Sequence, residues 1–167
     1  MNTEDINRLI EALREEITQL GEMLALQQEQ QVLIIERKPQ ELIAKVNEIT
    51  TQEKRMQGAR VQREEARLAL ITQAGGEPDM PFSDLIASTP TDYQPLLDAQ
   101  RREINVQIQN VNRWVRQNHL LLDRSLKLMQ DIMQNVFPAQ AAPKTYGRSG
   151  AVSQTAPPPS TLYEGII

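Results

Sequence analysis

The 167-residue chain contains no cysteine. Disulfides and thiolate catalysis are therefore excluded, and a reducing cytoplasm suits the chain. Glycine is scarce, at seven residues, and aromatic residues make up only 4%. Gln, Glu, Arg, Leu and Ile dominate instead, a composition that favours helix over sheet. No apolar run approaches the roughly 20 residues that a membrane span needs. Met1 to Asp5 has neither the basic nor the apolar part of a secretory signal. A cytoplasmic location without stable membrane insertion is the expectation. The formal charge of -4 argues against a general binder of nucleic acid or anionic membrane. Catalytic signatures are also missing: there is no G-x-G-x-x-G, no phosphate loop and no nucleophile elbow. His119 is the only histidine and has no carboxylates or cysteines at ligand spacing. Asp123, four residues on, permits a pair and nothing more. The sequence thus predicts no enzyme, no cofactor and no metal site.

What remains is helical periodicity. From Asp92 to Phe137, apolar residues recur at steps of four and three, through Leu97, Ile104, Ile108, Val111, Val115, Leu122, Met129, Ile132 and Val136. A second row of Trp114, Leu121 and Leu128 widens the stripe, so contact with two helices is expected. The spacing predicts one helix over 92–137, about 46 residues and roughly 69 Å long. A first helix is predicted over 4–36, with Thr3 as N-cap and a seam of Ile6, Ile10, Leu13, Ile17, Leu20, Leu24, Gln27, Gln31 and Ile34. Lys38-Pro39 breaks it, because the residue before proline is driven out of helical conformation. A second helix follows over 39–72. Leu42, Val46 and Ile49 start its seam, and Glu53, Met56, Arg60, Arg63, Arg67 and Leu70 continue it. Ala74-Gly75-Gly76 stops that helix. Residues 73–91 form a connector. A helical turn near Phe82 to Ala87 is expected to plug the open end of the bundle.

Two architectures satisfy these heptads, a self-associating coiled coil and an intramolecular bundle. The short break at Pro39 favours an all-α antiparallel three-helix bundle over 1–137 with one long C-terminal helix. A hairpin turning at Lys38 places Arg60 and Arg63 opposite Glu11, Glu15 and Glu16. Exposed interhelical ion pairs would then consume the basic stripe of Arg60, Arg63 and Arg67, each worth less than about 1 kcal/mol. No aromatic residue accompanies those arginines to stack bases, so no nucleic-acid partner is expected. Asn118 and Ser125 interrupt the long seam and read as register-setting residues. Gln27 and Gln31 are placed to meet them.

The third helix outruns the first by about 20 Å, some of it expected beside the connector and the rest past the Lys38-Pro39 turn. The uncovered end would hold Leu128, Met129, Ile132, Met133, Val136 and Phe137. Methionine-rich apolar surface adapts to different partners, and an uncovered patch of this kind marks an interaction site. Its occupant is a partner, a second copy or the chain's own tail. From Pro138 to Ile167 the chain is rich in Ala, Pro, Ser, Thr, Gln and Gly and has no periodicity, which predicts a disordered tail. Tyr146, Val152, Leu162, Tyr163, Ile166 and Ile167 punctuate it, and a pure spacer would not need them.

Three features together resemble the FlgN-type flagellar export chaperones. One is a helical hairpin followed by a long third helix. Another is Asn118-His119-Leu120-Leu121-Leu122 leading into Ser125-Leu126-Lys127-Leu128-Met129. The last is Thr145-Tyr146-Gly147-Arg148-Ser149-Gly150 shortly after the helix ends. The resemblance implies a cytosolic chaperone that binds the C-terminal helical segments of hook–filament junction proteins of the FlgK and FlgL types. It would keep them unassembled and present them to the type III export gate without ATP hydrolysis. Partner binding would fall to Leu128, Met129, Ile132, Met133, Val136 and Phe137, with Tyr146, Gly147, Gly150 and Val152 of the tail. Tyr146 matches the tyrosine that the family links to gate docking. The competing expectation is a self-associating coiled-coil adaptor with no flagellar client.

Overall fold

A computed structural model describes residues 2–136. The fold is an all-α bundle, with no strand among the described residues. Its helices are α1 (Thr3–Ile35), α2 (Pro39–Ala74), α3 (Phe82–Ser88) and α4 (Gln94–Val136). The N-cap of α1 is Asn2 rather than Thr3. Its side chain accepts a hydrogen bond from the Glu4 amide at 3.2 Å, and Glu4 and Asp5 then suit the positive end of the helix dipole. The α2 helix opens on Pro39 and stops at Gly75, which sits at φ 68. A left-handed residue at this position costs glycine nothing.

α1 runs up, α2 down and α4 up. Among the described residues, α1 packs closely along both long helices, while α2 and α4 do not approach each other closely. The helix with two long neighbours is therefore α1 and not α4, against the expectation from the width of the α4 stripe. The reason lies in the α1 sequence. Leu9, Ala12, Glu16 and Met23 make a second buried row beside Ile6, Ile10, Leu13 and Leu20, so α1 presents two seams at once. On α4, Trp114, Leu121 and Leu122 are only half-buried, and Leu128 is exposed.

The α2 seam also differs from its expected course. Its buried row is Ile49, Gln52, Met56, Ala59, Arg63, Ala66 and Leu70, an unbroken alternation of three and four. Val46 is exposed and Leu42 half-buried, and Glu53, Arg60 and Arg67 lie off the seam. Small residues, Ala59 and Ala66, occupy the seam where the long polar side chains of Arg60 and Arg67 were expected. After α2 the chain forms one short helix, α3, before α4 begins. Phe82, Leu85 and Ile86 of α3 are buried in the common core. Arg67 holds the segment before α3 through hydrogen bonds to the carbonyls of Met80 (3.0 Å) and Pro78 (3.2 Å).

Polar groups tie both flanking helices to α1. Gln52 Nε2 donates to the Gln19 carbonyl at 2.9 Å, and Gln100 Nε2 donates to the Ile10 carbonyl at 3.3 Å. Asn118 Nδ2 donates to the Gln27 carbonyl (2.8 Å), Gln27 Oε1 (3.1 Å) and Gln30 Oε1 (2.9 Å), while Gln31 Nε2 donates to Asn118 Oδ1 at 3.2 Å. The expected meeting of Asn118 with Gln27 and Gln31 is thus present. Arg63 meets Glu16 at 3.2 Å, but the pair is buried, with side-chain exposures of 1% and 6%, not exposed as expected. Nη1 and Oε2 are close without being aligned for a hydrogen bond. Arg63 is held further by Glu64 at 2.9 Å. Of the other expected pairings, Glu11 turns to Arg14 at 2.7 Å and Glu15 accepts from Gln19 at 2.8 Å, both within α1.

Burial pushes the Glu16 carboxyl above its ordinary value of 4.5, against the pull of Arg63 and Arg60. A raised folded-state pKa means that the fold binds the proton more tightly than the unfolded chain does. Ionised Glu16 therefore opposes folding at neutral pH, and that penalty fades as pH falls through the folded-state pKa toward 4.5. Removing one member of a buried pair strands the other. Arg63→Met is expected to lower stability by about 3 kcal/mol at neutral pH. Its deficit should shrink in mildly acidic buffer, where Glu16 takes up a proton. The double change Glu16→Leu, Arg63→Met should return to within about 1 kcal/mol of the parent. Urea unfolding of all three at neutral and mildly acidic pH checks the ordering, and a double variant no better than the single would refute it.

Candidate functional site

The turn between α1 and α2 is three residues, Glu36, Arg37 and Lys38. The Lys38 amide donates to the Leu33 carbonyl at 3.1 Å and the Arg37 amide to the Ile34 carbonyl at 3.3 Å. This is the double bond of a Schellman stop. The left-handed position belongs to Arg37, at φ 57, and it is the one non-glycine residue with positive φ among those described. A side chain in that conformation costs roughly 1–2 kcal/mol.

α4 is 43 residues long against 33 for α1. The two helices start level, since Gln100 meets Ile10 and Asn118 meets Gln27. All of the excess, about 15 Å, therefore lies beyond the Arg37 turn and none beside the connector. From Asp123 to Val136 every residue of α4 is exposed. Leu128, Met129, Ile132, Met133 and Val136 are exposed by 52–63%. Their placement on the projecting end agrees with the length comparison made on the sequence. Phe137, Tyr146, Gly147, Gly150 and Val152 lie outside the described residues.

Between the turn and α4 lies an open cleft of about 380 Å³. One wall is Leu122, Ser125, Leu126, Leu128, Met129 and Ile132, and the other is Leu33, Ile34, Pro39 and Leu42, with Arg37 and Lys38 at the rim. The second wall was missed on the sequence, as was Leu126. A signal was present: Leu42 and Ile43 open α2 as an apolar pair, yet α1 opposite them is already near its end. The cleft exists because α4 loses its partner where α1 stops while its apolar seam continues. Leu122, Met129, Ile132 and Val136 prolong the core stripe into solvent.

The two basic residues at the rim differ in their partners. The Lys38 ammonium sits above its usual pKa through its bond to Glu36 at 2.8 Å, with Glu41 further off at 3.9 Å. Arg37 has no side-chain partner among the described residues. The basic stripe on α2 offers no comparable surface. Arg63 is committed to Glu16 and Glu64, and Arg67 to Glu64 and the connector carbonyls. No group of three or more His, Cys, Asp or Glu able to hold a metal occurs among the described residues. Among them, too, no helix is long and apolar enough to cross a membrane. The cleft walls are mostly apolar, and Arg37 and Lys38 supply the charge at their edge.

Replacing Arg37 by glycine relieves the left-handed strain at the rim. Compared with Arg37→Ala, which also lacks the guanidinium, Arg37→Gly is expected to be more stable by about 1 kcal/mol, a Tm higher by about 3 °C, readable by thermal unfolding. A Tm equal to or below that of Arg37→Ala would contradict the strain assigned to this turn.

No curated protein and no solved structure matches the chain. The model of the FlgN protein family matches residues 1–154. That span takes in all four helices, the cleft, and the stretch from Tyr146 to Gly150, and stops short of residues 155–167. By this match the chain belongs to the FlgN family.

Proposed function

We propose that the chain is an export chaperone that holds the C-terminal helical segment of hook–filament junction proteins of the FlgK and FlgL types on the projecting end of α4. The family is one of flagellar chaperones that bind hook-associated proteins, and it is not an enzyme family. Membership supports that coarser role. The observation that carries it is the uncovered apolar end of α4, Leu128, Met129, Ile132, Met133 and Val136, standing beside the cleft at the turn. A client helix that later packs inside a filament has an apolar face to shield. An exposed helix stripe flanked by a groove takes such a face by helix-in-groove packing. Phe137, Tyr146, Gly147, Gly150 and Val152 extend the contact into the tail. Ordering them costs part of the binding energy, which favours release at the gate. Tyr146 is the residue assigned to gate docking.

A second reading keeps the same surface for a second copy of the chain. Val32, Ile35 and Ile43 are also exposed, by 50–66%, around the turn. Strictly monomeric light scattering at high concentration would exclude it.

Titration with a junction-protein C-terminal peptide tests the chaperone reading. Met129→Asp with Ile132→Asp is expected to weaken binding at least tenfold, about 1.4 kcal/mol or more. Stability should hardly change, because both side chains are exposed. No binding by the parent chain, or binding indifferent to these substitutions, would reject the reading.

A further inference from the structure

The cleft at the turn joins three facts that client binding alone does not require. Its floor is apolar. Its rim arginine, Arg37, is held in a left-handed conformation where glycine is the usual residue, and its side chain has no partner among the described residues. Backbone strain that keeps an unpaired charge at the mouth of an apolar cleft points to a ligand that is apolar and carries one carboxylate. The chain leaves the described fold at Val136, one helical turn beyond Ile132 of the cleft wall.

We infer that this cleft is occupied, in the client-free chain, by the chain's own segment Leu162-Tyr163-Glu164-Gly165-Ile166-Ile167, with Glu164 paired to Arg37. Residues 137–167 contain a single acidic residue, Glu164, and it stands among Leu162, Tyr163, Ile166 and Ile167. Lys144 and Arg148, the tail's basic residues, are repelled by Arg37. Reach is ample. About 25 residues separate Val136 from Leu162, up to roughly 80 Å of extended chain, whereas the return to Leu122 is about 21 Å along α4. A linker of this length gives the segment an effective concentration of about a millimolar at the cleft. A second copy at micromolar concentration competes poorly with that, so the occupant is intramolecular. The segment would cover Leu126 and Met129 until a client displaces it. That regulatory consequence rests on the chaperone reading, but the docking itself does not.

Methyl NMR of the full chain tests the docking, with Met129 as reporter and buried Met23 as control. Undocked reference shifts come from Leu162→Asp with Ile166→Asp. Arg37→Glu and Glu164→Arg, each alone, are expected to lower the docked-to-free ratio about fivefold, the worth of one rim ion pair. Both should move the Met129 resonance toward the undocked position and leave Met23 in place. Glu164 lies outside the described residues and away from the turn in sequence, so the effect of Glu164→Arg stands even if Arg37→Glu unfolds the turn. The charge-swapped chain carrying both changes should restore the parent Met129 shift. An identical Met129 resonance in all variants, or failure of the swap to restore it, overturns the inference. So does a shift that depends on protein concentration, which would give the cleft to a second copy. A chain that obeys the swap but binds no junction peptide keeps the docking and loses the chaperone reading. A chain that binds the peptide through Met129 and ignores the swap does the reverse.

Discussion

The hydrogen bonds of Asn118 to α1 set the axial position of α4, and the candidate site depends on that position. Asn118 donates into α1 at Gln27 and Gln30 and accepts from Gln31. A slip of one heptad along an apolar seam would move α4 by about 10 Å. Sliding one way would withdraw the Met129 end behind the turn, and sliding the other would lift Leu122 away from Ile34. A purely apolar seam tolerates such slips, while a buried amide with all its partners on one helix does not. Gln100 at Ile10 does the same for α4 nearer the closed end, and Gln52 at Gln19 fixes α2 against α1. Polar groups that weaken the core are what give the projecting end a fixed length.

Much of this was legible in the sequence because periodicity and breakers are local signals. Pro39 and Gly75 mark the helix ends to within a residue or two, and the heptads of α1 and α4 announce a bundle. The overhang followed from counting residues. The errors concern which helix sits in the middle. Leu9 and Met23 give α1 its second seam, but a reading that follows one seam per helix passes over them. On α2, large residues were given the seam although Ala59 and Ala66 occupy it, since close backbone approach rewards small side chains that carry little apolar weight in a sequence pattern. The cleft's second wall was passed over for a related reason. Leu42 scores as a seam residue, and only the three-dimensional end of α1 leaves it half open.

Arg63 and Arg37 show two ways in which the same residue type is spent. Arg63 is buried with Glu16 in the narrow interface of the hairpin, where apolar residues would pack at least as well, and its charge specifies register. Arg37 stands outside at the mouth of the cleft, in a left-handed conformation and with no side-chain partner among the described residues. Two arginines of the α2 stripe, Arg63 and Arg67, are thus structural ties, and the arginine of interest lay in the turn, where a sequence reading sees only a break.

Because α2 and α4 both lean on α1 and not on each other, the bundle has two seams that can part separately. The α1–α2 seam joins neighbouring segments through a three-residue turn, so its closure costs little chain entropy. The α1–α4 seam joins residues about ninety positions apart, and it is open at the projecting end with no third helix to seal it. Local unfolding therefore has a direction: α4 peels from Val136 back toward Asn118 while the hairpin stays intact. A chain built in this way can lose its last helical turns to solvent, or to pulling, without losing its fold.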